Sequence, residues 1–217
     1  MKLLRREREF TLEHRLVWQV ASLLLAYPDE QHTGRLATVD ELLAHVSGRP
    51  AELLGRTVVA LRDADPMRAA AAYVDTFDLR RRSTMYLTYW TAGDTRNRGS
   101  QMLAFTRAYR AAGVGPPRRE APDHLPVVLE FAATVDPEAG RRLLVEHRVP
   151  IEVLRQALDG SDSFYAHAVA AVCQTLPTAN DHDVERARWL AAAGPPAESV
   201  GLEPFTLTVP PRRAQGD

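Results

Sequence analysis

Proline and glycine cut this chain into short segments, and nearly every segment repeats its apolar residues with a helical period. Leu16, Val20, Leu23 and Leu24 recur at i, i+4, i+7 and i+8, which is one face of a helix. That helix is predicted to stop near Tyr27-Pro28, because proline disfavours the helical region in the residue before it. Val39, Leu42, Leu43 and Val46 form a second, shorter stripe, closed by Gly48. Pro50 suits the first turn of a third helix, whose buried face is Leu53, Leu54, Val58 and Leu61. Asp65-Pro66 reads as a cap followed by N1: the aspartate accepts backbone N–H bonds, and proline gives up none that the helix needs. The stripe Ala70, Tyr73, Val74, Phe77 follows.

Met102, Phe105, Thr106 and Tyr109 predict another helix, with Gly113 at its C′ position. Pro126 opens a helix through Phe131 and Val135, and Asp136-Pro137 repeats the cap-plus-proline start. Val149-Pro150 breaks the chain before Ile151, Leu154 and Leu158, and Gly160 ends that unit. Phe164 to Val172 is helical up to Leu176-Pro177, and Asp183 is expected to cap a last helix. Ser83 to Trp90 has the β-branched and aromatic content of a strand. With no partner strand in view, it is read as helix. The sum is an all-α, single-domain bundle of about eight to ten short helices over residues 1–193. Residues 194–217 are Pro-rich and without period, and are expected to be mobile or draped on the surface.

Composition narrows the function. The chain has 217 residues, 45% hydrophobic and 25% charged, with net charge -1, and phosphate binding without sequence preference relies on a positive excess. Cys173 is the only cysteine, so no intrachain disulfide and no multi-cysteine metal site forms. No apolar run approaches the ~20 residues of a membrane span, and no signal peptide is legible, so the expected compartment is the cytoplasm. No phosphate loop, dinucleotide fingerprint, zinc-protease or serine-hydrolase motif occurs, and none of the seven histidines pairs at i, i+4. No catalytic or metal-binding residue is assigned, and no enzyme is expected.

Two segments stand out. The first runs through Tyr73, Phe77-Asp78, Arg80-Arg81-Arg82, and Gly93-Asp94-x-Arg96-x-Arg98-Gly99. Its plain reading is a helix end, a solvated basic face and a capped loop. Its functional reading is a charge network of Asp78, Asp94, Arg96 and Arg98, since the planar guanidinium suits paired carboxylates. The second is Pro122-Asp123-His124-Leu125-Pro126, leading into Glu130. Its plain reading is a capped helix. Its functional reading is an exposed helix N-terminus with a carboxylate and an imidazole beside an apolar face. An all-helical scaffold or transcriptional regulator, with a basic surface at Arg80–Arg82, stands as the alternative.

Together with Leu24-Leu25-Ala26-Tyr27-Pro28-Asp29, these motifs resemble the nitrate reductase molybdenum cofactor assembly chaperones, the NarJ branch of the TorD/DmsD-like redox-enzyme maturation chaperones. The likeness spans roughly Arg15 to Leu176. It implies a TorD-like, non-catalytic, cytoplasmic fold that binds the cofactor-free catalytic (alpha) subunit of respiratory nitrate reductase through its N-terminal segment. It implies help with molybdenum cofactor insertion and delayed membrane docking, with no prosthetic group held and no nucleic acid bound. Molybdenum cofactor biosynthesis proteins are further candidate partners. Phe77, Asp78, Tyr86, Tyr89, Asp123, His124 and Leu125 are assigned to client-peptide binding. Tyr27, Pro28, Gly93, Asp94, Arg96, Arg98, Gly99, Pro122, Pro126 and Glu130 are assigned to structural motifs.

Overall fold

A computed structural model describes residues 11–93 and 96–196. Among these, the helices are α1 (Leu12–Leu24), α2 (His32–Leu43), α3 (Gly48–Asp63), α4 (Pro66–Tyr73), α5 (Tyr89–Ala92), α6 (Arg96–Ala111), α7 (Leu125–Thr134), α8 (Pro137–Glu146), α9 (Arg148–Asp159), α10 (Tyr165–Thr175) and α11 (Asp181–Ala193). The fold is all-α, as the periodicity predicts. The eleven α-helices among the described residues are one more than the upper expectation, and α5, which begins inside the stretch read as helix, is a single turn.

Local chemistry places most of the ends. Asp65 accepts from the Met67 and Arg68 amides, and Asp136 accepts from the Ala139 amide at 2.9 Å. Gly113 adopts φ +81 just after α6, a conformation that side chains with a Cβ resist. Two assignments change. Gly48 opens α3 instead of closing α2, because Ala44 and His45 already turn the chain. Asn180, not Asp183, caps α11: its side chain accepts from the Asp183 amide at 2.8 Å.

α1 lies against α7, α2 and α10. α10 packs on α3 and α9, and α7 packs on α8. The main core holds Trp18, Leu24, Leu25, Leu54, Phe105, Tyr109, Leu129, Leu144 and Tyr165, all essentially removed from solvent. Two of its buried polar side chains are paired across helices, as burial favours. Trp18 Nε1 donates to Thr175 Oγ1 at 2.8 Å, and Ser22 Oγ donates to the Pro126 carbonyl at 2.8 Å. Tyr27-Pro28-Asp29 is the α1–α2 turn, where Arg35 donates to both Asp29 Oδ1 and the Tyr27 carbonyl.

After α4 the helix widens into a π turn over Val74–Asp78, closed by the Leu79 amide on the Val74 carbonyl. Phe77 there stacks with Tyr73 and Tyr165 at 4.8 and 4.9 Å between ring centroids. A second, smaller apolar cluster joins Trp90, Val153, Ala187 and Leu190, where α11 rests on α9. Asp94 and the stretch 197–217, most of the expected tail, lie outside the described residues.

Candidate functional site

The segment read as helix, Ser83 to Trp90, is helical only at its ends, in the 3-10 turn that Ser83 closes and in α5 from Tyr89, and between them it has a partner. The Leu125 amide donates to the Met85 carbonyl at 2.9 Å, and the Leu87 amide donates to the Asp123 carbonyl at 3.0 Å. These bonds flank one antiparallel bridge, Tyr86 opposite His124. The pair lies between its two hydrogen bonds, the arrangement that brings opposed side chains closest. Their rings accordingly meet at 5.2 Å.

The period-2 pleat then sorts the residues. Met85, Leu87, Asp123 and Leu125 point inward and are buried, while Tyr86 and His124 point outward and stay partly exposed. Two residues assigned to client contact point inward in this alternation: Asp123 and Leu125 are both 0% exposed. Phe77 is likewise placed in the aromatic core. Asp78 is exposed, near enough to act on the His124 imidazole.

Asp123 positions the site from beneath. Its Oδ2 accepts from the Thr88 amide at 3.1 Å and from Thr88 Oγ1 at 2.6 Å, and its Oδ1 lies 3.6 Å from Arg98 Nη2. The carboxylate therefore reaches back to Thr88 and makes no side-chain cap for α7. Arg98 lies 4.9 Å above the Tyr86 ring and 5.9 Å from the Tyr89 ring, within cation–π range. Of the expected Asp78–Asp94–Arg96–Arg98 network, Asp94 lies outside the described residues, and Arg98 stands beside Asp123 under two tyrosines. Arg96 and Gly99 are exposed on the first turn of α6.

Glu120, which sequence reasoning missed, ties the outer rim. Its Oε1 accepts from Tyr86 Oη at 3.0 Å and from the Ala121 amide at 2.8 Å, and its Oε2 lies 3.6 Å from His124 Nδ1. Burial, reinforced by Glu120, pushes the Tyr86 phenol up to about 12. Tyr109 Oη donates to the Pro122 carbonyl at 2.6 Å and fixes the approach to α7. Pro126 is buried near the start of α7, and Glu130 is exposed. Arg81 and Arg82 stand on a three-residue 3-10 turn, not on a helix that could enter a nucleic-acid groove.

Burial holds the His124 imidazole below its ordinary value of 6.5, outweighing the opposing pull of Glu120, Asp123 and Asp78. Burial does the same to His147, whose Nδ1 faces the Leu143 carbonyl at 2.9 Å. Both rings are neutral in the folded chain at pH 7. Below pH 6.5 the unfolded chain binds more protons, so stability is complete above that pH and falls as the solution is acidified. Thermal melts should be flat from pH 7 to 8 and decline from pH 6.5 towards 5, over roughly the range where an ordinary imidazole charges. His147→Gln should reduce that decline, and equal slopes in variant and parent would exclude the histidine as its source.

The sequence profile of the nitrate reductase delta subunit family matches residues 38–171. The chain is 65% identical over 160 residues to the nitrate reductase-like protein NarX of Mycobacterium tuberculosis, covering 74% of this chain and 24% of that one. It thus spans about a quarter of that relative's length. It is 30% identical over 167 residues to a Bacillus subtilis protein, covering 76% of this chain and 91% of that one, whose name reads "Probable nitrate reductase molybdenum cofactor assembly chaperone NarJ". The nitrate reductase molybdenum cofactor assembly chaperone NarJ of Escherichia coli K12 is 29% identical over 167 residues, or 76% of this chain and 71% of that one. A crystal structure of a proposed redox enzyme maturation protein from Archaeoglobus fulgidus shares the fold. Its TM-score is 0.57 at 22% identity, over 78% of this chain and 98% of that one.

Proposed function

The chain belongs to the nitrate reductase delta subunit family, and from that premise we propose that it is an assembly chaperone for a respiratory nitrate reductase. It binds the cofactor-free catalytic subunit through that subunit's N-terminal segment, in the cytoplasm. It assists insertion of the molybdenum cofactor, which is the client's cargo, and it delays membrane docking until assembly is complete. It carries out no chemistry of its own. Two relatives bearing the name of such a chaperone support the reading, and so does the absence, among the described residues, of any helix long and apolar enough to cross a membrane.

The observation that carries the site is the partly exposed face of Tyr86, Tyr89 and His124, held over the locked Asp123–Arg98 pair. Phenol, imidazole and the Glu120 carboxylate supply hydrogen-bonding groups beside aromatic surface, and Leu79, 70% exposed, follows the nearby Asp78 in the chain. Such a face suits a segment that brings both apolar side chains and backbone polar groups. Ordering that segment on binding costs ~2–5 kcal/mol, so a net of about 8 kcal/mol, a micromolar Kd, fits a partner that must be released.

Titration calorimetry with a peptide of the reductase's N-terminal segment tests this. Tyr86→Ala and Tyr89→Ala should each weaken binding about tenfold, equal to ~1.4 kcal/mol. Glu130→Ala, on the exposed side of α7, should leave it unchanged. Full affinity in both tyrosine variants would remove this face as the client site.

A further inference from the structure

Charge is spread unevenly along this chain. The stretch from Leu79 to Arg119 holds nine arginines and one carboxylate, Asp94, although the whole chain carries 27 basic and 28 acidic residues. Six of the nine gather around Tyr86. Arg80, Arg81 and Arg82 precede it, on the turn that ends at Ser83. Arg96 opens α6 two residues before Arg98, whose guanidinium lies over the Tyr86 ring. Arg118 and Arg119 lead directly into Glu120, whose carboxylate accepts from the Tyr86 phenol. All six are exposed, and none takes part in an ion pair among the described residues.

Asp78 and Glu120 are the carboxylates beside this ring, and Glu120 is already engaged by the Tyr86 phenol and the Ala121 amide. The surplus is therefore positive. Two apolar side chains stand at its edge. Leu79, 70% exposed, adjoins Arg80, and Leu103, 49% exposed, lies two turns along the same side of α6 as Arg96. Exposed guanidiniums next to exposed leucines suit an anionic bilayer, where the charges meet lipid phosphates and the leucines enter the interface. A single-stranded nucleic acid fits less well, because it needs open aromatic faces for its bases. The Tyr86 ring has Arg98 over it and the His124 ring at 5.2 Å. The arginines come from a turn, a helix start and a loop, so they present a broad area and not a track for one acidic strand.

We propose that this face makes peripheral contact with an anionic membrane surface, through the arginine ring with Leu79 and Leu103 at its edge. The contact needs no spanning segment, and among the described residues no helix is long and apolar enough to be one. Tyr86 and Tyr89 lie inside the ring, so a bilayer and a docked client segment exclude one another, and arrival at the membrane favours release. That consequence rests on the client reading above, whereas the contact itself does not.

Sedimentation of the full-length chain with lipid vesicles tests the contact. The chain should bind vesicles that mix phosphatidylglycerol with phosphatidylcholine, and should not bind phosphatidylcholine alone. Raising the salt from about 0.1 M to about 1 M, which cuts the screening length from about 10 Å to about 3 Å, should release it. Each arginine near an anionic surface is worth about fivefold in affinity. The double variant Arg81→Gln/Arg82→Gln should therefore bind about 25-fold more weakly, and Arg118→Gln/Arg119→Gln should lose about as much. Arg56→Gln, exposed on α3, should change nothing. All five side chains are exposed, so thermal melts should match the parent and separate a lost contact from a lost fold. Equal binding to phosphatidylcholine alone, or full affinity in both double variants, would overturn the proposal. Tighter binding of polyglutamate or of single-stranded RNA than of the vesicles would overturn it too, by giving the face a different partner. No client peptide enters these measurements, so their failure leaves the chaperone reading standing, and a failed peptide titration leaves the membrane contact standing.

Discussion

Asp123→Ala should destabilise the fold by about 3–5 kcal/mol, the cost of removing one partner from a buried charged pair. The carboxylate is fully buried, and its Arg98 partner is 19% exposed. Alanine leaves the Thr88 amide and hydroxyl without their acceptor and removes the carboxylate beside the Arg98 guanidinium. At roughly 2–4 °C per kcal/mol for a chain of this size, the melting temperature should drop by about 10 °C or more. The Met85–Thr88 segment should loosen as well, and client affinity with it, because Tyr86 and Tyr89 lose their support. Asp123→Asn, which keeps the shape and one acceptor, should lose less. A melt within 1–2 °C of the parent, on the same ~2–4 °C scale, would show that the carboxylate does not hold this segment. Read as an exposed helix N-terminus, the same residue predicts an unchanged melt, and its burial reverses the sign of that expectation.

Gly140→Val should disrupt the α7–α8 contact by a comparable amount. Gly140 is buried on α8, and a Cβ there would overlap the Ala132 Cα and Cβ of α7. The obstacle includes backbone, so relief requires the two helices to part. Extra methyl groups forced into a packed interior cost about 1–3 kcal/mol and occasionally more. Valine should lie at or above the top of that range. Gly140→Ala recovers up to about 1 kcal/mol of helix propensity and should lose less. Ala132→Gly should rescue Gly140→Ala only in part in a double-mutant cycle, because it removes the Cβ overlap and leaves the backbone of residue 132 in the way. Additive losses would place the cost elsewhere. α7 begins immediately after His124, so client affinity should fall along with stability in the valine variant.

Much of this was legible in the chain because its causes are local. Asp65-Pro66 and Asp136-Pro137 start helices through bonds that span two or three residues, and Gly113 ends one through its own φ. The apolar stripes of α1, α3, α9 and α10 mark their buried faces, because a 3.6 period is a property of the helix itself. The misplaced ends show where local signals compete. Gly48 suits a stop as well as a start, and Asn180 and Asp183 are both good caps three residues apart. The sequence names Tyr86, Tyr89 and His124 as candidates, but their neighbour Glu120 carries no periodic or motif signal.

The amino-acid order by itself determined the helical class, most helix limits and the family, since these depend on caps, periods and motifs within a few residues of one another. Only the tertiary structure decided that Met85–Leu87 pairs with Asp123–Leu125, which points Asp123 inward and Tyr86 outward. Only it decided that Arg98 joins Asp123 instead of Asp78, and that α11 lies on α9 beside Trp90. Those outcomes join residues tens of positions apart, where the energy comes from excluding water and matching charges between elements. No local pattern encodes that choice.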